Sequence, residues 1–235
     1  MRVSSPIDVD RKYYEESGYF HEGGKHLLDP ESPFQRYRTR EVLALCGPTH
    51  GLRIVDLGCG WGTLSFALAR DAREVVGVDF AQAALRICGE RLKREPEVGL
   101  RFLRSDARST GLPGGVWDLV VAADLVEHLD PDDTLAVYRE ARRLLRPGGR
   151  FAIWTPNPEH FLERLRKWRI LRPDPTHVDY KTLARVTREL GRLGFEIEVA
   201  RHVESHLPVL RKVEQWAQRW VPLLRRRVAV VGRRE

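Results

Sequence analysis

The stretch Arg53 to Ala69, RIVDLGCGWGTLSFALA, constrains this chain most, because it puts a strand, a tight turn and the start of a helix into one continuous run. Ile54, Val55 and Leu57 form a short apolar run suited to a strand covered on both faces. Gly58, Gly60 and Gly62 then remove three side chains where the backbone must bend, a cost in entropy that a plain strand-to-helix turn would not need. Thr63 is placed to cap the following helix, in which Leu64, Ala67 and Leu68 share one stripe. Such a turn aims backbone N–H groups at one spot and favours an anionic group, so a nucleotide-like ligand is expected.

Four further strand signals follow, making four β-then-α units in sequence. Glu74 to Asp79 reads as a strand, then a helix carries Ala81, Ala84, Leu85, Cys88 and Leu92 on one face. Asp79 ends that strand about twenty residues beyond the glycines, where an acid accepts hydrogen bonds from ribose hydroxyls. Leu100 to Arg104 is a third strand, followed by Ser105-Asp106-Ala107, and Trp117 to Ala122 a fourth, running into ADLVEHL. Asp130-Pro131 opens a helix with Leu135, Tyr138, Ala141 and Leu145 inward, which stops at Pro147-Gly148-Gly149 before a fifth strand, Arg150 to Thr155. Repeated β-α units imply a parallel sheet covered on both faces, with the ligand at the carboxyl ends of the strands.

The motifs VDLGCGWG, VVGVDF, RSDA, WDLVVAADLVEHL and LLRPGGRFAI occur in this order between residues 53 and 155. Together they resemble the class I S-adenosylmethionine (SAM) dependent methyltransferases, in the branch that includes the ubiquinone-biosynthesis O-methyltransferases and other small-molecule enzymes. The resemblance implies an α/β fold with a doubly wound, Rossmann-like, seven-stranded and mostly parallel sheet whose last strand is antiparallel. It also implies SAM as cofactor. By position, Asp56, Gly58, Gly60 and Gly62 would shape the methionine end, Asp79 with Phe80 the ribose, Asp106 with Ala107 the adenine, and Ala123 the region near the sulfonium. Counting back from the glycines, the upstream arginine used by the ubiquinone enzymes falls on Arg38, with Arg36 as its neighbour.

The flanks carry no such motifs. Residues 1–50 read as an N-terminal lid or strap, rich in Tyr, Phe and His and broken by Gly and Pro, followed by a helix from Phe34 to Cys46 that ends at Gly47-Pro48. Residues 51–235 read as the methyltransferase domain, with insertions at 156–178 and 206–226 that are expected to build an acceptor pocket. The first insertion reads as a basic amphipathic helix, HFLERLRKWRIL, capped by Asn157. Leu183, Val186, Leu190 and Leu193 mark another helix, Phe195 to Ala200 a sixth strand, Leu210 to Leu224 a helix, and Arg227 to Val231 the last strand.

Composition decides less. Lys plus Arg is 40 against 33 for Asp plus Glu, a net charge of +7, but the excess is spread along the chain and reads mainly as solvated helix faces. The 3 cysteines fit neither a disulfide framework nor a zinc site and read as reduced packing residues. With no apolar leader and no run of membrane-spanning length, a cytoplasmic protein is expected.

Methyl transfer to a hydroxyl calls for a base near neutrality, and His128, His160 and His177 are the candidates, with Asp124 as a further carboxylate. His128 also has a structural reading at a helix entry. No His/Asp/Glu cluster shows metal-ligand spacing, so no metal is expected. The favoured reading is a methyltransferase of a small-molecule acceptor. Its competitors are a methyltransferase of RNA or another anionic macromolecule, and a nicotinamide-dependent oxidoreductase or non-catalytic nucleotide-binding module. Trp168, Trp216 and Trp220 are read as core or pocket wall, and the basic, Trp-bearing helix near 210–227 as a candidate for peripheral membrane contact.

Overall fold

The computed structural model describes residue 14 and residues 29–171, 176–204, 208–217 and 220–235. Helix α1 (Pro33–Cys46) leads into β1 (Arg53–Leu57), α2 (Thr63–Ala69), β2 (Glu74–Asp79), α3 (Gln82–Arg94), β3 (Leu100–Arg104) and β4 (Trp117–Ala123). Then come α4 (Pro131–Leu144), β5 (Leu145–Pro156), α5 (Phe161–Lys167), α6 (Leu183–Arg192), β6 (Phe195–Val203), α7 (Pro208–Ala217) and β7 (Arg227–Arg234). The seven strands form one sheet in the order β3-β2-β1-β4-β5-β7-β6. β7 pairs antiparallel with both β5 and β6, while the pairs from β3 to β5 are parallel.

Alternation along β1 explains why its apolar run is continuous. Ile54 packs on one face with Tyr37, Val42 and Leu45 of α1 and Leu64, Phe66 and Leu68 of α2. Val55 and Leu57 pack on the other with Val137, Tyr138 and Ala141 of α4 and Val186 and Leu190 of α6. Asp130 caps α4 through a 2.8 Å hydrogen bond from the Asp133 amide, and Gly47, at φ 69°, closes α1. The three cysteines are buried thiols.

Several local expectations are corrected. The residue flanking α2 is Gly62 at φ 73°, with Thr63 already helical, so the turn is made by a left-handed glycine and not by a side-chain cap. His160, not Asn157, caps α5, which has only 7 residues; Asn157 instead donates to the Arg225 carbonyl at 2.7 Å. β5 begins at Leu145, because Leu145 pairs with Trp117 and Arg150 with Leu119, and the Pro-Gly-Gly residues between them form a bulge. The helix expected over 210–224 is α7 followed by a 3-10 turn at Pro222–Leu224. Its inward face carries Glu214 and Ala217, so Trp216 is 82% exposed; Trp168 and Trp220 are also exposed and are neither core nor pocket wall.

Candidate active site

A cavity of about 510 Å³ opens at the carboxyl ends of β1, β2 and β4, within the size range of small-molecule sites. One side is the glycine turn. Gly58, Gly60, Trp61, Asp79 and Phe80 line it. The Asp79 carboxylate is aimed by the main chain, accepting from the Gly60 amide and the Ala81 amide, each at 2.9 Å. A carboxylate offers about four lone-pair sites, so an acid aimed in this way suits ribose hydroxyls. A Cβ built on Gly60, at φ 51°, meets nothing within 4 Å, whereas one on Gly58 comes to 2.8 Å of Leu125 Cδ1. The turn therefore leaves open space at Gly60 and has no room for a side chain at Gly58, which fits a nucleoside cofactor held against main chain. Asp56 lies beneath, buried, accepting from Ser65 Oγ at 2.6 Å; burial pushes its carboxyl up to about 6.

The residues expected to hold the cofactor divide. Arg38, Gly58, Gly60, Asp79, Phe80 and Ala123 line the cavity, and Asp56, Gly62, Asp106 and Ala107 do not. Asp106 is held by the Arg108 fork, whose Nη2 donates at 2.6 Å, and the same guanidinium reaches Asp133 at 2.6 Å. Arg38 donates from Nε to Asp124 Oδ2 at 2.6 Å and from Nη2 to the Ala123 carbonyl at 2.9 Å. Tyr14, the described residue of the expected lid before residue 29, stands edge-on to Phe80 and His128 at 5.7 and 6.2 Å; the rest of that stretch lies outside the described residues.

The opposite wall is built by a loop docked on the exit of β4. The Val178 and Asp179 amides donate to the Glu127 carbonyl at 2.9 and 3.2 Å. The buried Lys181 ammonium donates to the Leu129 carbonyl at 3.1 Å and to Asp179 Oδ2 at 2.8 Å. These bonds bring His177 beside His128, ring centroids 5.1 Å apart. His128 Nδ1 lies 2.9 Å from the Thr176 carbonyl, which only accepts, and 3.2 Å from the Tyr14 hydroxyl, which can accept too; a proton on Nδ1 suits both and leaves the lone pair on Nε2. Tyr180 donates its O–H to Glu163 Oε2 at 2.9 Å and so receives its 2.8 Å bond from a protonated His177 Nδ1, which again places the lone pair on Nε2.

His160 is different. It is fully buried and absent from the cavity wall, with Nδ1 accepting from the Leu162 amide at 3.3 Å and Nε2 3.5 Å from Glu214 Oε1. Burial lowers its pKa, its Nδ1 caps α5, and it stands away from the cavity wall, so the fold gives it no place as a base. The expectation of no ligand cluster is also corrected, since one ligand atom each from Glu127, His128 and His177 lies within 4.8 Å of the others. A carboxylate with two imidazoles suits a divalent transition ion. His177 is remote in sequence from the other two, which hides the set from local spacing. Glu127 itself escaped notice; burial pushes it up to about 7, and it accepts from Thr155 Oγ1 at 2.9 Å. Charges at the mouth were missed too: Glu163, Arg166, Arg226 and Arg227 line the cavity from α5 and the entry of β7.

Fold, glycine turn and cavity wall define a class, and the comparisons agree with it. A family model described as a methyltransferase domain matches residues 54–149. The chain is 32% identical over 189 residues to a ubiquinone biosynthesis O-methyltransferase of Dinoroseobacter shibae, covering 73% of each chain. The chain belongs to the class I SAM-dependent methyltransferases. Among particular relatives, it is 33% identical over 143 residues to the ubiquinone biosynthesis O-methyltransferase of Bordetella avium, a match of 57% of this chain and 58% of that one. The chain thus spans less than two thirds of the length of several such relatives. Solved structures share the fold at 18% identity: a phosphoethanolamine N-methyltransferase of Haemonchus contortus with SAM (TM-score 0.73, covering 99% of this chain and 60% of that one), and a magnesium protoporphyrin IX methyltransferase of Synechocystis with bound SAH (TM-score 0.70, 96% and 98%).

Proposed function

We propose that this chain transfers the methyl group of SAM to a hydroxyl oxygen of a small-molecule acceptor. The observation that carries the reading is that one cavity brings the glycine turn and Asp79 to face two imidazoles whose lone pairs are on Nε2. Bound SAM supplies an electrophilic methyl on a sulfonium. Asp79 holds the ribose, Arg38 the methionine carboxylate, and Asp106 and Ala107 stand at the adenine end beyond β3. Nε2 of His128 or His177 takes the acceptor proton as the oxygen attacks in line, and the cavity walls keep water from competing. A second reading of the same wall is supported by the cluster of Glu127, His128 and His177: a divalent ion there would acidify the acceptor hydroxyl in place of a histidine base.

The test has two parts. S-adenosylhomocysteine at about a hundred times its dissociation constant should add about 2.7 kcal/mol, roughly 5 to 10 °C of melting temperature for a domain of this size, and Asp79→Ala should abolish the shift. NAD in place of the adenosyl ligand should do nothing; a shift with NAD alone refutes the donor assignment. Methyl transfer to a panel of phenols and catechols should fall at least 100-fold in His128→Ala or His177→Ala, and loss of activity in EDTA restored by Mn²⁺ selects the metal-assisted form. Exposed Trp168, Trp216 and Trp220 support peripheral contact with an anionic membrane, which co-sedimentation with phosphatidylglycerol vesicles checks. No described helix is long and apolar enough to cross a membrane.

A further inference from the structure

Four arginines line the cavity, and they are arranged as two triads. Arg38 and Arg227 share Asp124, with Arg227 Nη1 at 2.6 Å from Oδ1 and Arg38 Nε at 2.6 Å from Oδ2. Arg166 and Arg226 share one oxygen of Glu163, Nη1 lying 2.7 and 3.2 Å from Oε1. Each triad is one positive charge in excess. The excess is not a solvated surface: Glu163 is buried, and the Arg226 side chain is 16% exposed.

The two triads have different neighbours. The first adjoins Ala123 and the glycine turn, so its surplus is matched by the carboxylate of the donor in the reading above. The second stands beyond Pro156, beside His177, where no group of SAM is called for. Arg226 makes one further contact, from Nη1 to His160 Nδ1 at 3.3 Å, and among the described residues its Nε and Nη2 donate to nothing. Tyr180 donates to the other oxygen of Glu163, so this one carboxylate serves two guanidinium groups and a phenol. Burial and the adjacent Arg227 pull Arg226 down to about 10, against the opposing pull of Glu163 and Glu214.

We propose that the Arg166–Glu163–Arg226 triad is the binding site for an anionic group of the acceptor, a carboxylate or a phosphate, and that the methyl-accepting oxygen is presented from there to His177. The proposal rests on the methyltransferase reading and adds to it the substrate class. Planar guanidinium forks suit both anions, and removal of an anion from water into this wall is compensated only by such paired donors. A neutral acceptor of the same shape would leave the surplus charge unmatched.

The experiment measures binding of three unreactive probes, benzoate, phenyl phosphate and benzyl alcohol, by isothermal titration, to protein with and without S-adenosylhomocysteine. One or both anions should bind at least 10-fold more tightly than benzyl alcohol, and whichever leads identifies the group. Arg226→Gln should erase the preference and leave the adenosyl-ligand shift intact. Arg166→Gln, at a more exposed position, should lower it at least 3-fold and stands in if the first variant does not fold. Equal binding of all three probes, or a preference that survives both variants, overturns the proposal. Loss of the S-adenosylhomocysteine shift with the anion preference retained would refute the donor reading and leave the triad's assignment standing.

Discussion

The two sides of the cavity are built on different plans. On the donor side, partners lie close in the chain and the main chain does much of the work: Gly60 reaches Asp79, Ala81 reaches Asp79, and Ser65 reaches Asp56. On the acceptor side, side chains reach across longer stretches of sequence: Arg226 to Glu163, His128 to Thr176 and Lys181 to Leu129. A backbone cradle tolerates variation in everything except its glycines and one acid. A cradle of charged side chains can be retuned one residue at a time, which suits the side that must recognise the acceptor.

The largest effect should come from putting a side chain into the donor side. Gly58 sits at φ 69° with Leu125 Cδ1 at 2.8 Å from its would-be Cβ, so Gly58→Val meets both a forbidden backbone region and a clash. We expect a loss of about 2 to 4 kcal/mol of stability, read by urea denaturation, and no S-adenosylhomocysteine shift. A variant of near-native stability that still binds the ligand would break the contrast, because it would mean that the turn is not a rigid cradle.

The carboxyls of buried Asp56 and half-buried Asp124 should respond to pH with opposite signs. Burial raises Asp56 from 3.8 to about 6, so the folded state holds its proton more tightly than the unfolded chain, and stability falls as pH rises from about 4 to about 6. Burial would raise Asp124 as well, but Arg227 and Arg38 outweigh it and hold the carboxyl down to about 2. Its contribution is present above about pH 4 and is lost as pH falls towards 2. Asp56→Asn should remove a decline of about 2 to 3 kcal/mol between pH 4 and 6, measured as the urea midpoint against pH. Asp124→Asn should instead flatten the acid limb below pH 4. The same slope in both variants would show that the two carboxyls do not differ in kind.

This contrast also explains what could be read from the chain. Asp79 was legible because an acid at a strand end, about twenty residues past a glycine turn, has one geometric use. The seven strands were legible because each alternates or runs apolar over its own length. Glu163, Arg226 and Tyr180 were not, since each looks like an ordinary residue of a polar helix or loop until Lys181 and the Glu127 carbonyl dock 176–181 against β4. His160 shows the converse: its place in the first insertion suggested chemistry, and the fold uses it to cap a 7-residue helix. The exposed Trp216 has the same origin, a helical stripe read as inward when Glu214 and Ala217 face the domain.

The finest test separates orientation from binding on the acceptor side. Tyr180 accepts from His177 Nδ1 at 2.8 Å and donates to Glu163 at 2.9 Å, so its hydroxyl fixes the His177 tautomer and one face of the triad at once. Tyr180→Phe keeps the ring, edge-on to His177 at 5.1 Å between centroids, and removes these two bonds. A hydrogen bond of this kind contributes about 0.5 to 1.5 kcal/mol, so kcat should fall about 3- to 10-fold while the S-adenosylhomocysteine shift is unchanged. Without the Tyr180 oxygen beside Nδ1–H the imidazolium is less stabilised, and the acidic limb of the kcat profile should move to lower pH. A fall in kcat with an unmoved acidic limb would mean that Tyr180 serves the wall through Glu163 alone, and His128, held by the Thr176 carbonyl, would remain as the base.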